Sequence, residues 1–168
     1  MIVRLTQKLG KKLHLSPTKS YPADANPLAD WTAHLFTAGR TQYILVTNTP
    51  TLYSAVLYGR GISNDARFLD AIFGAIREVM EADDLSLAYQ KLVAPAAATV
   101  SFSKTFSRSV TGSMNDHIMC GKVYLTESGL SLQETSYRLN CTPLSAIEYS
   151  NPRQACQAIS AELLAESS

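Results

Sequence analysis

The stretch that decides the fold is residues 31–58, WTAHLFTAGRTQYILVTNTPTLYSAVLY. It contains three runs rich in β-branched and aromatic residues, separated by Ala38-Gly39 and Thr49-Pro50, which are typical of turns. Because such short connections join neighbouring strands antiparallel, we predict a three-stranded meander over about residues 31–58. The middle run, RTQYILVTN at residues 40–48, is apolar at both alternate positions. This pattern predicts a central strand that is covered on both faces.

Further strands are predicted on either side of the meander, near residues 2–5 and 97–103. Helical periodicity predicts helices packed on this sheet, at residues 7–13, 65–81, 85–93, 110–126, 132–139 and 152–166. Residues 144–149 fit a strand or a turn of helix, and the proline-rich segment 16–30 is predicted to be a loop. Because runs of strands precede runs of helices, we predict an α+β fold, with an antiparallel sheet in one domain over residues 1–168.

Composition excludes several classes of protein. With 46% apolar and 17% charged residues, the chain is too apolar for intrinsic disorder and too polar for a membrane protein. The net charge of +1 provides no strong overall attraction for nucleic acid. The first residues lack the apolar run of a signal peptide. The three cysteines are widely spaced and the three histidines show no metal-ligand spacing, so we expect a reduced, cytoplasmic protein without metal or cofactor.

The densest polar stretch is SFSKTFSRSVTGSMNDH at residues 101–117, where a predicted strand passes through a loop into a predicted helix. Cations and hydroxyl groups beside the first turn of a helix are typical of a phosphate or anion site. Two arginines in the sheet region, each next to a glycine, could add bidentate contacts to the same anion. The candidate ligand-binding residues are therefore Arg40, Arg60, Lys104, Arg108, Ser109, Thr111 and Ser113. Serines before a helix are also ordinary helix caps, and this alternative stays open.

His117 and Asp116 are the candidate catalytic residues, because they follow this polar stretch one turn into the predicted helix. Adjacent residues on a helix diverge by about 100°, so the two side chains cannot form a dyad by themselves. The alternative is that both are partly exposed helix residues. His34, in an alternating strand, is more typical of a packed histidine than of a base. No GxSxG, HExxH or GxGxxG motif is present, so no motif assigns a reaction.

The basic N-terminal segment is a candidate partner contact. Residues 1–20 carry five basic and no acidic side chains. Lys8, Lys11 and Lys12 lie on one side of the predicted helix 7–13, opposite its leucines. This pattern fits a solvated helix face, and it equally fits a surface that meets a protein or a nucleic acid.

Residues 130–147, LSLQETSYRLNCTPLSAI, could form a helix, a short turn and a second helix, as in a DNA-binding helix-turn-helix. Ser136, Asn140 and Cys141 partly satisfy the small and turn positions of that motif. The second helix would be short, and no basic residue follows the turn before Arg153. A DNA reader needs cations for phosphate contacts, so DNA binding is the weakest of the functional hypotheses.

Four segments together resemble a bacterial family of small, uncharacterised single-domain proteins, a domain of unknown function. The resemblance covers about residues 1–156 and rests on MIVRLTQKLGKKL (1–13), DWTAHLFTAGRTQYILVTN (30–48), FSKTFSRSVTGSMND (102–116) and NCTPLSAIEYSNPRQA (140–155). It implies a bacterial cytoplasmic protein associated with plasmids or phages, and it transfers no catalytic residue.

Three functional hypotheses follow from the sequence. The first is a non-enzymatic binding or regulatory module that contacts a protein or a polyanionic partner. The second is a small enzyme acting on a phosphate-bearing substrate, with Arg40, Lys104 and Arg108 holding the anion and His117 or Asp116 moving the proton. The third is DNA binding through residues 130–147. None of the three involves a membrane, and the sequence makes no prediction of the oligomeric state.

Overall fold

The computed structural model describes residues 1–105 and 107–168. Five strands form one sheet in the order β4-β3-β2-β1-β5. The strands are β1 (Ile2–Leu5), β2 (Asp30–Ala38), β3 (Thr41–Asn48), β4 (Ser54–Tyr58) and β5 (Ser101–Lys104). The helices are α1 (Gln7–Leu13), α2 (Asp65–Ala82), α3 (Ser86–Ala88), α4 (Arg108–Thr126), α5 (Leu132–Asn140) and α6 (Pro152–Glu166). This architecture confirms the predicted α+β class.

The sheet is mixed, and the prediction of an antiparallel sheet is wrong for two of its strands. The predicted meander is present, because β2, β3 and β4 pair antiparallel in sequence order. However, β1 pairs parallel with β2 on one side and with β5 on the other. The cause lies in the connections: short turns join the meander strands, whereas β1 reaches β2, and β4 reaches β5, through long segments that contain helices. Such crossovers allow parallel pairing.

Helix caps account for most of the boundaries. Ser107 accepts a hydrogen bond from the backbone N–H of Val110, so α4 begins two residues before the predicted position 110. Ser131 and Glu134 form a capping box, so α5 begins at Leu132, as predicted. The predicted helix at 85–93 divides into α3 and a π-helical turn at Tyr89–Val93. The predicted strand at 97–103 begins only at residue 101, because Ala96–Ala98 form a 3-10 turn.

The two faces of the sheet have different chemistry. One face is apolar and packs against α1, α2 and α6, with core residues that include Val3, Leu5, Leu35, Ile44, Phe68, Ile72, Ile76 and Cys156. The other face packs against α4 and α5 through a smaller cluster that includes Phe36, Leu45, Val56, Met114, Ile118 and Leu139. Between these apolar residues, the second face also carries buried polar side chains: Arg4, Thr32, Thr47, Ser54 and Ser103. Residues 43–48 of β3 are all buried, which confirms the prediction of a covered central strand.

A buried ion pair on the second face holds the proline-rich segment 16–30. Arg4 is 1% exposed, and its Nε and Nη2 atoms donate to the Asp30 carboxylate at 2.9 and 2.8 Å. Its Nη1 and Nη2 atoms also donate to the carbonyl oxygens of Tyr21 and Pro22, at 2.7 and 3.1 Å. The segment predicted as a loop is therefore fastened to the sheet by one guanidinium group.

Candidate functional site

The candidate site is a crevice between the carboxyl ends of the parallel strands β1 and β5. It has a volume of about 370 Å³. The chain leaves β1 toward α1 on the apolar face, and it leaves β5 toward α4 on the opposite face. Neither connection fills the space between the two strand ends, which is where open α/β sheets commonly bind their ligands. The crevice is lined by Leu5, Thr6, Gln7, Gly10, Lys11, Leu15, Ser16, Pro17, Lys104 and Thr105.

Two lysines give this crevice its charge. Lys11 comes from α1 and Lys104 from the end of β5, and both side chains are exposed. Among the residues that line the crevice, none is acidic. The other polar groups are the hydroxyls of Thr6, Ser16 and Thr105 and the amide of Gln7, which can donate hydrogen bonds to an anion. The crevice is thus suited to a negatively charged ligand.

The wall of the crevice depends on a close approach between α1 and the segment after it. A Cβ atom added to Gly10 would lie 2.7 Å from the carbonyl oxygen of Leu15, closer than such atoms normally approach. The Leu15 N–H donates to the Gly10 carbonyl at 2.9 Å. Glycine at this position lets residues 15–17 fold back and close one side of the crevice.

A threonine–histidine pair joins the crevice to a second cavity. Thr6 Oγ1 and His34 Nδ1 are 2.7 Å apart. Thr6 precedes α1, but its side chain makes no capping hydrogen bond. The second cavity has a volume of about 180 Å³ and is lined by Thr6, His34, Thr111, Met114 and Asn115. Burial, and next the positive charge of Lys8, lower the pKa of His34, so its ring is neutral at neutral pH and can accept the Thr6 hydroxyl proton.

The structure places part of the predicted anion site at this crevice. Lys104 lines the larger cavity and Thr111 lines the smaller one. Of the predicted partner-binding lysines, Lys11 lines the larger cavity. Lys8 acts on His34 electrostatically, and Lys12 donates to Gln42 at 2.9 Å. Two groups that the sequence analysis kept apart therefore meet at one end of the sheet.

Arg40 and Arg60 lie at the same end of the sheet but outside both cavities. Arg40 is in the turn that follows β2, and Arg60 follows the carboxyl end of β4. Both side chains are exposed. Since β2 and β4 run in the same direction as β1, the two arginines lie toward the same end of the sheet. However, β2 continues five residues past Ala33, the partner of Leu5, so Arg40 lies about 17 Å farther along the sheet than the crevice.

Arg108, Ser109 and Ser113 lie elsewhere. Gly39, next to Arg40, approaches Thr126 at the carboxyl end of α4, whereas Arg108 begins that helix. Arg40 and Arg108 are therefore separated by most of α4, which spans about 27 Å. Ser109 lines a separate cavity of about 60 Å³ beside Thr49 and Pro50, and Ser113 is buried. The structure does not bring the seven predicted residues into one site.

The catalytic candidates are also remote from the crevice. His117 is only 2% exposed, which contradicts the expectation of a partly exposed residue, and Asp116 is exposed. His117 Nδ1 lies 3.3 Å from Ser54 Oγ, and His117 Nε2 has no hydrogen-bond partner in the part of the chain that the structure describes. Burial lowers the pKa of His117 to about 4, against a smaller opposing effect of Asp116. His117 is thus a neutral group packed between α4 and the sheet.

We expect His117 to make stability depend on pH. Because its folded pKa of about 4 lies below the ordinary histidine pKa of 6.5, the unfolded chain binds the proton more tightly. The free energy of unfolding should therefore fall as pH decreases from 6.5 toward 4, with a loss of about 1 kcal/mol between about pH 6 and pH 5. Urea unfolding of wild type and His117→Leu at both pH values measures this. The variant should lose about 1 kcal/mol less than wild type over that interval; an equal loss in both proteins would contradict the assignment.

The second helix of the predicted helix-turn-helix is absent, and this part of the prediction is wrong. Between the end of α5 at Asn140 and residue 147, the structure contains only one helical turn, the 3-10 turn Ser145–Ile147. Pro143 has no backbone N–H and disfavours helix in the residue before it, so α5 does not continue. Asn140, predicted as a turn residue, is fully buried and bonded to Ser54.

Thr6 and His34 are the site residues that sequence reasoning missed. Thr6 directly precedes the predicted helix 7–13, and His34 was interpreted as packed. The signal that could have found them is the passage from a strand directly into a helix at residues 5–7. That signal becomes informative only once β1 is known to lie between two parallel neighbours.

Comparison with known proteins gives one match. The model of a family described as a domain of unknown function, DUF6933, matches residues 2–155, and the chain belongs to this family. This confirms the resemblance to an uncharacterised family that the sequence analysis stated. No curated protein and no solved structure matches the chain. Within residues 1–105 and 107–168, no helix has both the length and the apolar character required to cross a bilayer.

Proposed function

Since membership of DUF6933 assigns no activity, we propose from the crevice itself that the protein is a binding module for a small phosphate-bearing molecule. The observation that carries the proposal is the pair Lys11 and Lys104, which line one cavity of about 370 Å³ without any acidic lining residue. This volume lies in the range of small-molecule sites. The two lysines come from different elements, α1 and β5, so the cavity offers cations on two sides.

Charge favours phosphate over a single carboxylate. A phosphate group carries about two negative charges near neutral pH and presents three oxygens. It can therefore engage both ammonium groups and still accept hydrogen bonds from hydroxyls such as those of Thr6 and Ser16. A monovalent carboxylate would leave one ammonium group of Lys11 or Lys104 without a compensating charge.

Two further cations of α1 support the same proposal. Lys8 and Lys12 lie on the seven-residue helix that supplies Lys11 to the crevice. Clustered charges of one sign raise the local concentration of oppositely charged ligands and speed their association. These lysines would act in this way for a free small molecule and also for a phosphate carried by a larger polyanion.

Isothermal titration with inorganic phosphate, pyrophosphate and ATP tests the proposal. We expect at least one of these to bind wild type, and Lys11→Ala and Lys104→Ala to weaken that binding at least about tenfold, a loss of about 1.4 kcal/mol. Lys91→Ala is the matched control, because this exposed lysine lies in the π-helical turn Tyr89–Val93 and does not line the crevice. Equal losses in Lys91→Ala and Lys104→Ala, or no binding of any probe, would overturn the proposal.

A second candidate function, catalysis on the bound phosphate, is favoured by the Thr6–His34 contact of 2.7 Å. A neutral His34 would accept the proton of the Thr6 hydroxyl while Thr6 Oγ1 attacks phosphorus and the bond to the leaving group, phosphate or ADP, breaks. Water would then hydrolyse the phosphothreonine, which releases phosphate and restores the Thr6 hydroxyl. Phosphate release from pyrophosphate or ATP measures this function. Loss of release in His34→Gln, with binding retained, would support an enzyme. If wild type binds pyrophosphate or ATP but releases no phosphate, the protein is a binding module and not an enzyme acting on these compounds.

A further inference from the structure

The two edges of the sheet are closed in different ways. At the β5 edge, the Lys104 N–H donates to the Lys19 carbonyl at 3.0 Å, and the Tyr21 N–H donates to Ser103 Oγ at 3.0 Å. The segment around residues 19–21 therefore covers β5. The β4 edge has no such segment in the described chain, and its outward backbone groups form hydrogen bonds only with side chains of α5. An uncovered edge strand presents backbone groups that another chain can pair with.

Side chains of α5 occupy only the first half of β4. Asn140 accepts a hydrogen bond from the Ser54 N–H at 2.8 Å and donates one to the Ser54 carbonyl at 2.9 Å. Ser136 Oγ accepts from the Val56 N–H at 3.0 Å. In an antiparallel pair, every second residue of an edge strand directs both its N–H and its carbonyl away from the neighbouring strand, and in β4 these are residues 54, 56 and 58. The Val56 carbonyl and both backbone groups of Tyr58 therefore point outward without a bond from α5. No side chain of the described residues bonds them.

A groove of about 320 Å³ runs beside these groups, between α2 and α5. On the α2 side its wall is formed by small residues, Ala71, Gly74 and Ala75. Two exposed acids of α2, Asp70 and Glu78, also line the groove. Neither forms an ion pair within the described part of the chain. Asp70 and Glu78 are eight positions apart on α2, which corresponds to about 12 Å along the helix axis.

We propose that this groove binds an extended, basic peptide of another protein, which adds a short strand beside Val56–Tyr58. Side chains four residues apart on a strand point to the same side and lie about 13 Å apart. This spacing matches the separation of Asp70 and Glu78. The peptide therefore carries basic residues at its first and fifth positions and an apolar residue at the third, over the small side chains of α2. Backbone pairing supplies affinity, and the alternating side chains supply specificity.

The acidic groups distinguish this peptide from a second copy of the chain. If two copies paired through β4, their α2 helices would lie side by side on one face of the joined sheet. Asp70 and Glu78 of one copy would then approach the same carboxylates of the other, and like charges in an interface are destabilising. A lysine or arginine at these positions neutralises the two acids. Tyr58, 57% exposed at the end of β4, adds an aromatic contact of the kind enriched at interfaces.

Fluorescence anisotropy with a labelled peptide, Thr-Lys-Thr-Ile-Thr-Lys-Thr, tests the proposal on the full chain. The matched control peptide has glutamate in place of both lysines. We expect the lysine peptide to bind wild type at least about tenfold more tightly than the glutamate peptide. Gly74→Leu should weaken the lysine peptide at least about tenfold, because the new side chain fills the groove. A Cβ at Gly74 meets no atom within 4 Å, so the fold tolerates this change. Gly112→Leu is the matched control, since Gly112 has the same freedom on α4, away from the groove.

Three results would overturn the proposal. These are no binding of the lysine peptide, equal binding of the two peptides, and equal affinity of wild type and Gly74→Leu for the lysine peptide. Size-exclusion chromatography tests the second copy: a dimer of wild type that Gly74→Leu abolishes would assign the groove to self-association instead. Lys104→Ala should bind the peptide as wild type does, so a failure of the anion site and a failure of this groove are distinguishable.

Discussion

Replacing Arg4 with methionine is expected to lower the free energy of unfolding by about 3–5 kcal/mol. Arg4 and Asp30 are 1% and 2% exposed, and two hydrogen bonds of 2.9 and 2.8 Å join them. Without the guanidinium, the Asp30 carboxylate stays buried with no compensating charge. The carbonyl oxygens of Tyr21 and Pro22 also lose their donor. The segment around residues 19–21 keeps its own hydrogen bonds to β5, so the loss is concentrated at the buried carboxylate and these two carbonyl groups. Urea unfolding at neutral pH measures the loss.

A surface ion pair provides the control for Arg4. Arg77 and Glu81 form an ion pair of 2.7 Å, but their side chains are 62% and 42% exposed. Solvent screens such pairs, so Arg77→Ala should lower the unfolding free energy by less than about 1 kcal/mol. The double variant Arg4→Met with Asp30→Leu removes both buried charges and should be more stable than Arg4→Met alone. A loss below about 1 kcal/mol in Arg4→Met would contradict the assigned role of the pair.

Replacing Asn140 with alanine is expected to lower the free energy of unfolding by about 2–4 kcal/mol. The Asn140 side chain is fully buried, and it satisfies both the N–H and the carbonyl of Ser54 at the edge of the sheet. Each buried backbone group left without a partner costs about 1–3 kcal/mol. Thermal and urea unfolding both report this loss. Gln133→Ala, an exposed position on the same helix, should change stability by less than about 0.5 kcal/mol. Similar losses in the two variants would contradict the role of Asn140.

The sequence predicted the meander and most helices because those elements follow from local patterns. The β-branched and aromatic residues of 40–48 and the helical period in 65–81 depend only on neighbours along the chain. The placement of β1 between β2 and β5 depends on contacts between residues about 30 and 100 positions apart. No local pattern encodes such pairing, so the parallel half of the sheet was missed. The second helix after residue 140 was predicted despite Pro143, a local signal that was available.

The candidate site was predicted only in part, for the same reason. Lys11 and Lys104 were each recognised as candidates, but they were assigned to different surfaces. The pairing of β1, which leads into α1 and Lys11, with β5, which ends at Lys104, was not predicted. Arg108 was grouped with Lys104 because the two are only four positions apart in the sequence. In the fold, Lys104 lines the crevice, whereas Arg108 begins α4, which packs on the face of the sheet opposite α1. His34 was interpreted as packed, since its contact with Thr6 requires the pairing of β1 with β2.

Chemical-shift mapping of the ¹⁵N-labelled protein with pyrophosphate tests the binding account most directly. We predict that the amides that shift most belong to the crevice: residues 5–7, 10–11, 15–16 and 104–105. Residues 96–99, which contact the N-terminal amine at the opposite end of the parallel strands, should shift little. Saturating shifts centred on the crevice and absent from Lys104→Ala would support the account. Shifts centred on the start of α4, or no saturable shifts at all, would contradict it.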